Sequence, residues 1–149
     1  MGLFNSSKKG KPGETRKPRE TRKSRYHAQI EKLLAAESLP ITYSLRTDKD
    51  TYLDMLINEE LFDEILTRIE DESLQLLILE PNKLISNSFL LQATRSKKEY
   101  LVEICIYDPE VDEPMAYDYF TNDRNELFKF FVDYWKTQQI PDYSDWMLL

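Results

Sequence analysis

Nine of the first 25 residues are Lys or Arg, and everything after them is acidic on balance. Lys8, Lys9, Lys11, Arg16, Lys17, Arg19, Arg22, Lys23 and Arg25 stand against only Glu14 and Glu20, a net charge of +7. Residues 26–149 carry 11 basic and 25 acidic side chains, a net charge of −14. A chain divided in this way reads as a basic tail joined to an acidic body, and each half needs its own account. Residues 1–23 are Gly, Pro, Ser, Thr and Lys/Arg, with almost no apolar side chains beyond Leu3 and Phe4. Such a segment buries too little surface to offset the entropy of ordering it, so residues 1–23 are expected to be a disordered basic tail. Residues 24–149 are expected to form a single domain, a length that allows a real core at 41% hydrophobic content.

Within the body the hydrophobic period changes. Tyr26, Ile30, Leu33 and Leu34 fall on one helical face that Pro40 closes, and ITYSLR (41–46) alternates as a short strand. Leu53, Leu56, Ile57, Leu61, Ile65 and Ile69 recur mostly four apart. That spacing predicts a helix over 51–71, either one piece capped by Thr51 and Asp54 or two pieces with Asn58 starting the second. LQLLILE (74–80) is apolar on both faces, as a covered strand would be. SFLLQAT (88–94) and EYLVEICIY (99–107) predict a hairpin turning at 95–98. DPEVDEP (108–114) reads as a loop and MAYDYF (115–120) as a further strand. Asp123 and Glu126 form a capping box before a helix whose apolar side is Leu127, Phe131, Tyr134 and Trp135. The end, DYSDWMLL, should fold back to cover its apolar residues. The fold class is therefore α+β, an antiparallel β-meander of about four to five strands with helices packed on one face.

Catalytic and metal-binding patterns are absent from the sequence. One His (His27) and one Cys (Cys105) are too few for a structural zinc site, which takes four Cys/His ligands. The glycines are Gly2, Gly10 and Gly13, so the body has no glycine-rich phosphate loop. The acidic run at 108–113 lacks the glycine turn of a calcium loop. No cofactor, no metal and no enzymatic activity are expected. No stretch reaches the roughly 20 apolar residues of a membrane span, and a lone cysteine in an apolar run fits the cytoplasm.

The tail has three readings. MGLFNS matches the myristoylation pattern with Gly2 as acceptor, and the polybasic run would supply the second signal that holds one acyl chain on an anionic membrane. The same Lys and Arg could contact the phosphates of a nucleic acid, although Phe4 is the single aromatic before Tyr26 that could stack on a base. The third reading is a solvated segment, or one resting weakly on its own acidic domain.

DPEVDEPMAYDYF (108–120) concentrates acid and tyrosine. Asp108, Glu110, Asp112, Glu113, Tyr117, Asp118 and Tyr119 are the candidate partner-binding residues. Tyr117 and Tyr119 share one strand face, which is either an outward aromatic patch or half-buried sheet surface. Phe89, Gln92, Tyr100, Val102, Glu103, Phe131, Tyr134, Trp135 and Trp146 lie in the order F-x-Q, Y-x-V-E, an aromatic helix and a late Trp. This half of the chain resembles small bacterial α+β proteins that include immunity proteins of polymorphic toxin systems. The resemblance implies a non-enzymatic protein that neutralises its partner by binding it. An acidic body would suit a basic partner such as a toxin through charge complementarity. The alternatives are a peripheral membrane adaptor held by the tail and, more weakly, an arm-mediated nucleic-acid binder.

Overall fold

The structure, a computed structural model, describes residues 22–149, with side chains from Tyr26 onward. The tail at 1–21, including Gly2, Lys8, Lys9, Lys11, Arg16, Lys17 and Arg19, lies outside the described residues. Helix α1 spans Arg22–Ala35 and so begins two residues before the expected domain start, taking in Lys23. Strand β1 (Tyr43–Thr47) turns into β2 (Thr51–Leu53), and a single 3-10 turn (Asp54–Leu56) leads to α2 (Glu59–Glu70). Strands β3 (Leu76–Pro81), β4 (Ser88–Ser96), β5 (Glu99–Asp108) and β6 (Glu113–Thr121) follow, then α3 (Arg124–Lys136) and the two-residue β7 (Met147–Leu148).

The seven strands form one antiparallel sheet in the order β2-β1-β3-β4-β5-β6-β7. The α+β class and the antiparallel sheet are as the sequence implies. The two strands beyond the expected count are β2 and β7, which are too short to carry a hydrophobic period. Thr51 does not cap a helix: Leu45 pairs with Tyr52 and Thr51 belongs to β2. The turn between them is held by the Thr47 hydroxyl, which accepts from the backbone N–H of Lys49 and Asp50. The helix starts at Asn58, whose Oδ1 accepts from the Leu61 N–H at 2.8 Å, so the two-piece reading of 51–71 is the one that folds. Leu53 and Leu56 consequently fall outside the buried helix stripe and are 61% and 57% exposed.

Two cores sandwich the sheet. Helices α2 and α3 cover one face, burying Phe62, Ile65, Leu66, Leu127 and Phe131 against Leu45, Leu77, Leu79, Leu91, Val102 and Ile104. Helix α1 lies on the opposite face, where Ile30 and Leu33 meet Ile78, Phe89, Leu90, Cys105, Tyr107 and Ala116. The helices therefore do not share one face, as the sequence reading expected. The central strands explain this, because β3 to β5 are apolar at odd and even positions alike and need cover on both sides. Among the described residues, cover on the α1 side is partial. The helix lies over one end of the strands, and Phe120 at the other end is 50% exposed.

The described chain contains no glycine, so its tight turns use other residues in the left-handed region. Lys97, in the β4–β5 turn, has φ 59°, Asp112 in the β5–β6 turn 51°, and Glu72 after α2 68°. Asp tolerates this conformation, whereas for most side chains it costs roughly 1–2 kcal/mol.

Candidate functional site

The seven candidate residues on 108–119 do not form one surface. The structure divides them among the tip of the β5–β6 hairpin and the two faces of β6. At the tip, the strands continue further than expected: Asp108 pairs with Glu113 and Tyr107 with Pro114, leaving only residues 109–112 as the turn. Pro114 therefore lies in β6, not in a loop. It is tolerated there because β6 has its second neighbour, β7, only at Tyr117 and Asp118. The Tyr107 hydroxyl donates to Asp112 Oδ1 at 2.7 Å, and Asp108 Oδ1 accepts from the Glu110 N–H at 2.9 Å. The carboxylate bond also raises the Tyr107 hydroxyl above its ordinary pKa. Glu110, Asp112 and Glu113 are exposed and Asp108 is half-buried, with the apolar Val111 exposed among them. The tip is thus an anionic turn, tied by two hydrogen bonds, that exposes one apolar side chain.

Asp118 lies five residues along β6 from Glu113, about 16 Å at the usual strand rise, on the α1 side of the sheet. There it is directly opposed to Glu103 of β5, and Glu103 is opposed in turn to Gln92 of β4. Both carboxylates are half-buried. Cys105, two residues from Glu103, places its Sγ 3.5 Å from Glu103 Oε2. Like charges in directly opposed strand positions repel one another. Glu103 was legible in the sequence as an acid between Leu101 and Cys105 on the second face of an apolar strand. Its alignment with Asp118 was not, because that depends on a four-residue turn where seven loop residues were expected.

Tyr117 and Tyr119 are half-buried on the opposite face, packed against the α2/α3 core. The Tyr117 ring meets Tyr143 with centroids 4.7 Å apart, and Tyr119 stacks on Trp146 at 5.0 Å with an interplanar angle of 9°. Phe130 closes the cluster edge-on against both Tyr119 and Trp146. The Tyr119 hydroxyl donates to Glu126 at 2.9 and 3.1 Å, and that bond raises its pKa. Glu126 is therefore engaged by β6, while Asp123 caps α3 by accepting from the N–H groups of Asn125 and Glu126. These aromatics hold the C-terminal segment, which pairs with β6 as β7 and leaves Met147, Leu148 and Leu149 exposed.

A separate open groove of about 660 Å³ runs between the C-terminal half of α1 and the β1–β2 edge. Leu33, Leu53, Met55 and Pro81 supply its apolar lining, with Lys32 and Glu80 at its rim. Asp54 in its wall is occupied, accepting from the Tyr43 N–H at 2.8 Å. Ser44 and Glu80, opposed across β1 and β3, also line it, and Glu80 Oε1 accepts from Arg46 Nε at 2.9 Å. Among the described residues, no three His, Cys, Asp or Glu side chains gather to hold a metal ion. His27 lies within hydrogen-bonding range of Glu31 one turn along α1, on exposed surface. Of the basic candidates, Arg22, Lys23 and Arg25 lie on the first turn of α1. No described helix is long and apolar enough to cross a membrane.

No protein-family model matches the chain, and no curated protein or solved structure matches it.

Proposed function

We propose that this protein is a non-enzymatic binding module of the immunity type, which occludes a basic protein partner with the acidic tip of its β5–β6 hairpin. The observation that carries the reading is the tip itself: Asp108, Glu110, Asp112 and Glu113 flank the exposed Val111 along a turn held by the Tyr107–Asp112 and Asp108–Glu110 bonds. An anionic turn with an apolar contact suits a cationic protein surface, and the Asp108 and Asp112 carboxylates, held by these bonds, have less side-chain freedom to lose on binding. The net charge of −14 over residues 26–149 favours fast capture of such a partner. The resemblance of residues 88–146 to immunity proteins makes a toxin the partner class, and the cytoplasm is the compartment in which we place the encounter.

The experiment is affinity capture from the native organism, followed by binding measurements on the protein recovered. The partner should be basic, and its affinity should fall steeply between 50 and 200 mM salt, in the manner of other charge-steered pairs (about tenfold or more). Replacing Glu110→Gln, Asp112→Asn and Glu113→Gln together should weaken it, while thermal unfolding shows the domain intact. An affinity that ignores both salt and the triple variant would remove the tip from consideration.

A further inference from the structure

We infer that the basic partner presents an arginine side chain to Asp108 and Glu113 and rests an adjoining apolar side chain on Tyr117, Tyr143 and Leu148. The inference rests on the reading of the β5–β6 hairpin as the binding surface, and adds to it the face that is used and the residue type that is taken.

Strand alternation divides the hairpin acids between the two sides of the sheet. Ile106 faces the α2/α3 core, so Asp108, two residues on, lies on that side. Glu113 and Met115, the strand partners of Asp108 and Ile106, lie there with it. Tyr107 faces the α1 side instead, and its 2.7 Å bond draws Asp112 to that side. Tyr117 continues the first row two residues past Met115, and Leu148 of β7 is its partner across the strands. Tyr143 packs its ring on Tyr117 with centroids 4.7 Å apart. The Tyr143 hydroxyl is raised above its ordinary pKa by burial first, then by Tyr117 and the Asp108 carboxylate. The row therefore runs from two carboxylates, past a half-buried methionine, to two half-buried tyrosines and an exposed leucine.

The groups in this row are available to a second molecule. The Tyr119 hydroxyl is taken by Glu126, whereas that of Tyr117 meets the Met115 sulfur at 4.0 Å and that of Tyr143 meets no partner among the described residues. Asp108 and Glu113 stand directly opposite one another, and among the described residues neither forms an ion pair. Charge complementarity makes the occupant cationic, because a cation between opposed acids relieves their repulsion. The aromatic neighbours make it arginine. A planar guanidinium offers N–H groups to both carboxylates and stacks on a tyrosine ring, whereas an ammonium is a compact, strongly hydrated point charge. Tyr117 lies roughly 13 Å along β6 from Glu113. Side chains two apart on an extended partner point the same way about 7 Å apart, and the length of the arginine stem covers the remainder.

The probe is the peptide acetyl-Gly-Arg-Ser-Leu-Gly-amide, titrated into the native full-length chain and followed by amide NMR. Shifts should gather at Asp108, Glu113, Met115, Tyr117, Tyr143 and Leu148. The same peptide with lysine in place of arginine should bind about tenfold more weakly. Asp108→Asn with Glu113→Gln should abolish the shifts and Tyr117→Leu should reduce them, with thermal unfolding showing each variant intact. Arginine and lysine peptides of equal affinity overturn the inference, as do shifts centred on the groove beside α1 or no shifts at all. The inference and the reading it rests on fail separately. A captured partner that responds to the Glu110, Asp112 and Glu113 triple variant but ignores Asp108→Asn and Tyr117→Leu removes this inference and leaves the tip as the site. A partner that ignores all of these substitutions removes both.

Discussion

Glu103 and Asp118 face one another across β5 and β6, two half-buried carboxylates in directly opposed positions. Their repulsion is expected to be worth about 0.2–1 kcal/mol. Glu103→Gln and Asp118→Asn, made singly and together, form a double-mutant cycle that measures the coupling across the two strands. The pair should depart from additivity by up to about 1 kcal/mol, read by thermal unfolding of the four chains. Strictly additive effects would show the two positions to be uncoupled.

Ser88 and Tyr134 share a hydrogen bond of 2.9 Å in the fully buried core, tying the start of β4 to α3. Tyr134→Phe leaves the Ser88 hydroxyl buried with no replacement for that bond, and should destabilise by about 1–3 kcal/mol. Adding Ser88→Ala should recover part of that loss, since both polar groups are then gone. Urea denaturation of the single and double variants checks the order, and a double variant weaker than Tyr134→Phe alone would contradict it.

Two buried tyrosines make stability sensitive to alkali. Burial pushes the Tyr43 hydroxyl up to about 12, and pushes Tyr134 well above the ordinary tyrosine range. Between pH 10 and 12 the unfolded chain gives up these protons while the folded chain keeps them. Their contribution is therefore fully present below about pH 10 and is lost as pH rises through the folded values. Tyr43→Phe should flatten the decline in the unfolding free energy over pH 10–12. A free energy that rises with pH in that window would reverse the assignment.

Lys97 adopts φ 59° in the two-residue turn between Ser96 and Glu99. Glycine takes this conformation without steric penalty, although it has more freedom to lose from the unfolded chain. Lys97→Gly should leave stability equal or raise it by about 0.5–1 kcal/mol, whereas Lys97→Ala should bring no such gain. Chemical denaturation distinguishes the two, and an alanine variant as stable as the glycine variant would argue against strain at this turn.

Local chemistry was enough to read several elements from the sequence. The Asp123 cap, the buried stripe of α3, the β4–β5 hairpin and the two-sided apolar character of β3 all depend on neighbours three to ten residues apart. The basic and acidic halves needed only counting. What required the tertiary structure was every relationship set by strand register or by the choice of sheet face. β2 formed from residues with helical spacing because β1 offered hydrogen bonds to an extended partner. α1 took the opposite face because the central strands had two apolar sides to cover. The candidate site was dispersed for the same reason: alternation sends Tyr117 and Tyr119 into the aromatic cluster with Trp146, and sends Asp118 to the other face, opposite Glu103. Sequence order states that these three residues are close along the chain. A pleated strand, with its period of two, decides which of them can meet the same molecule.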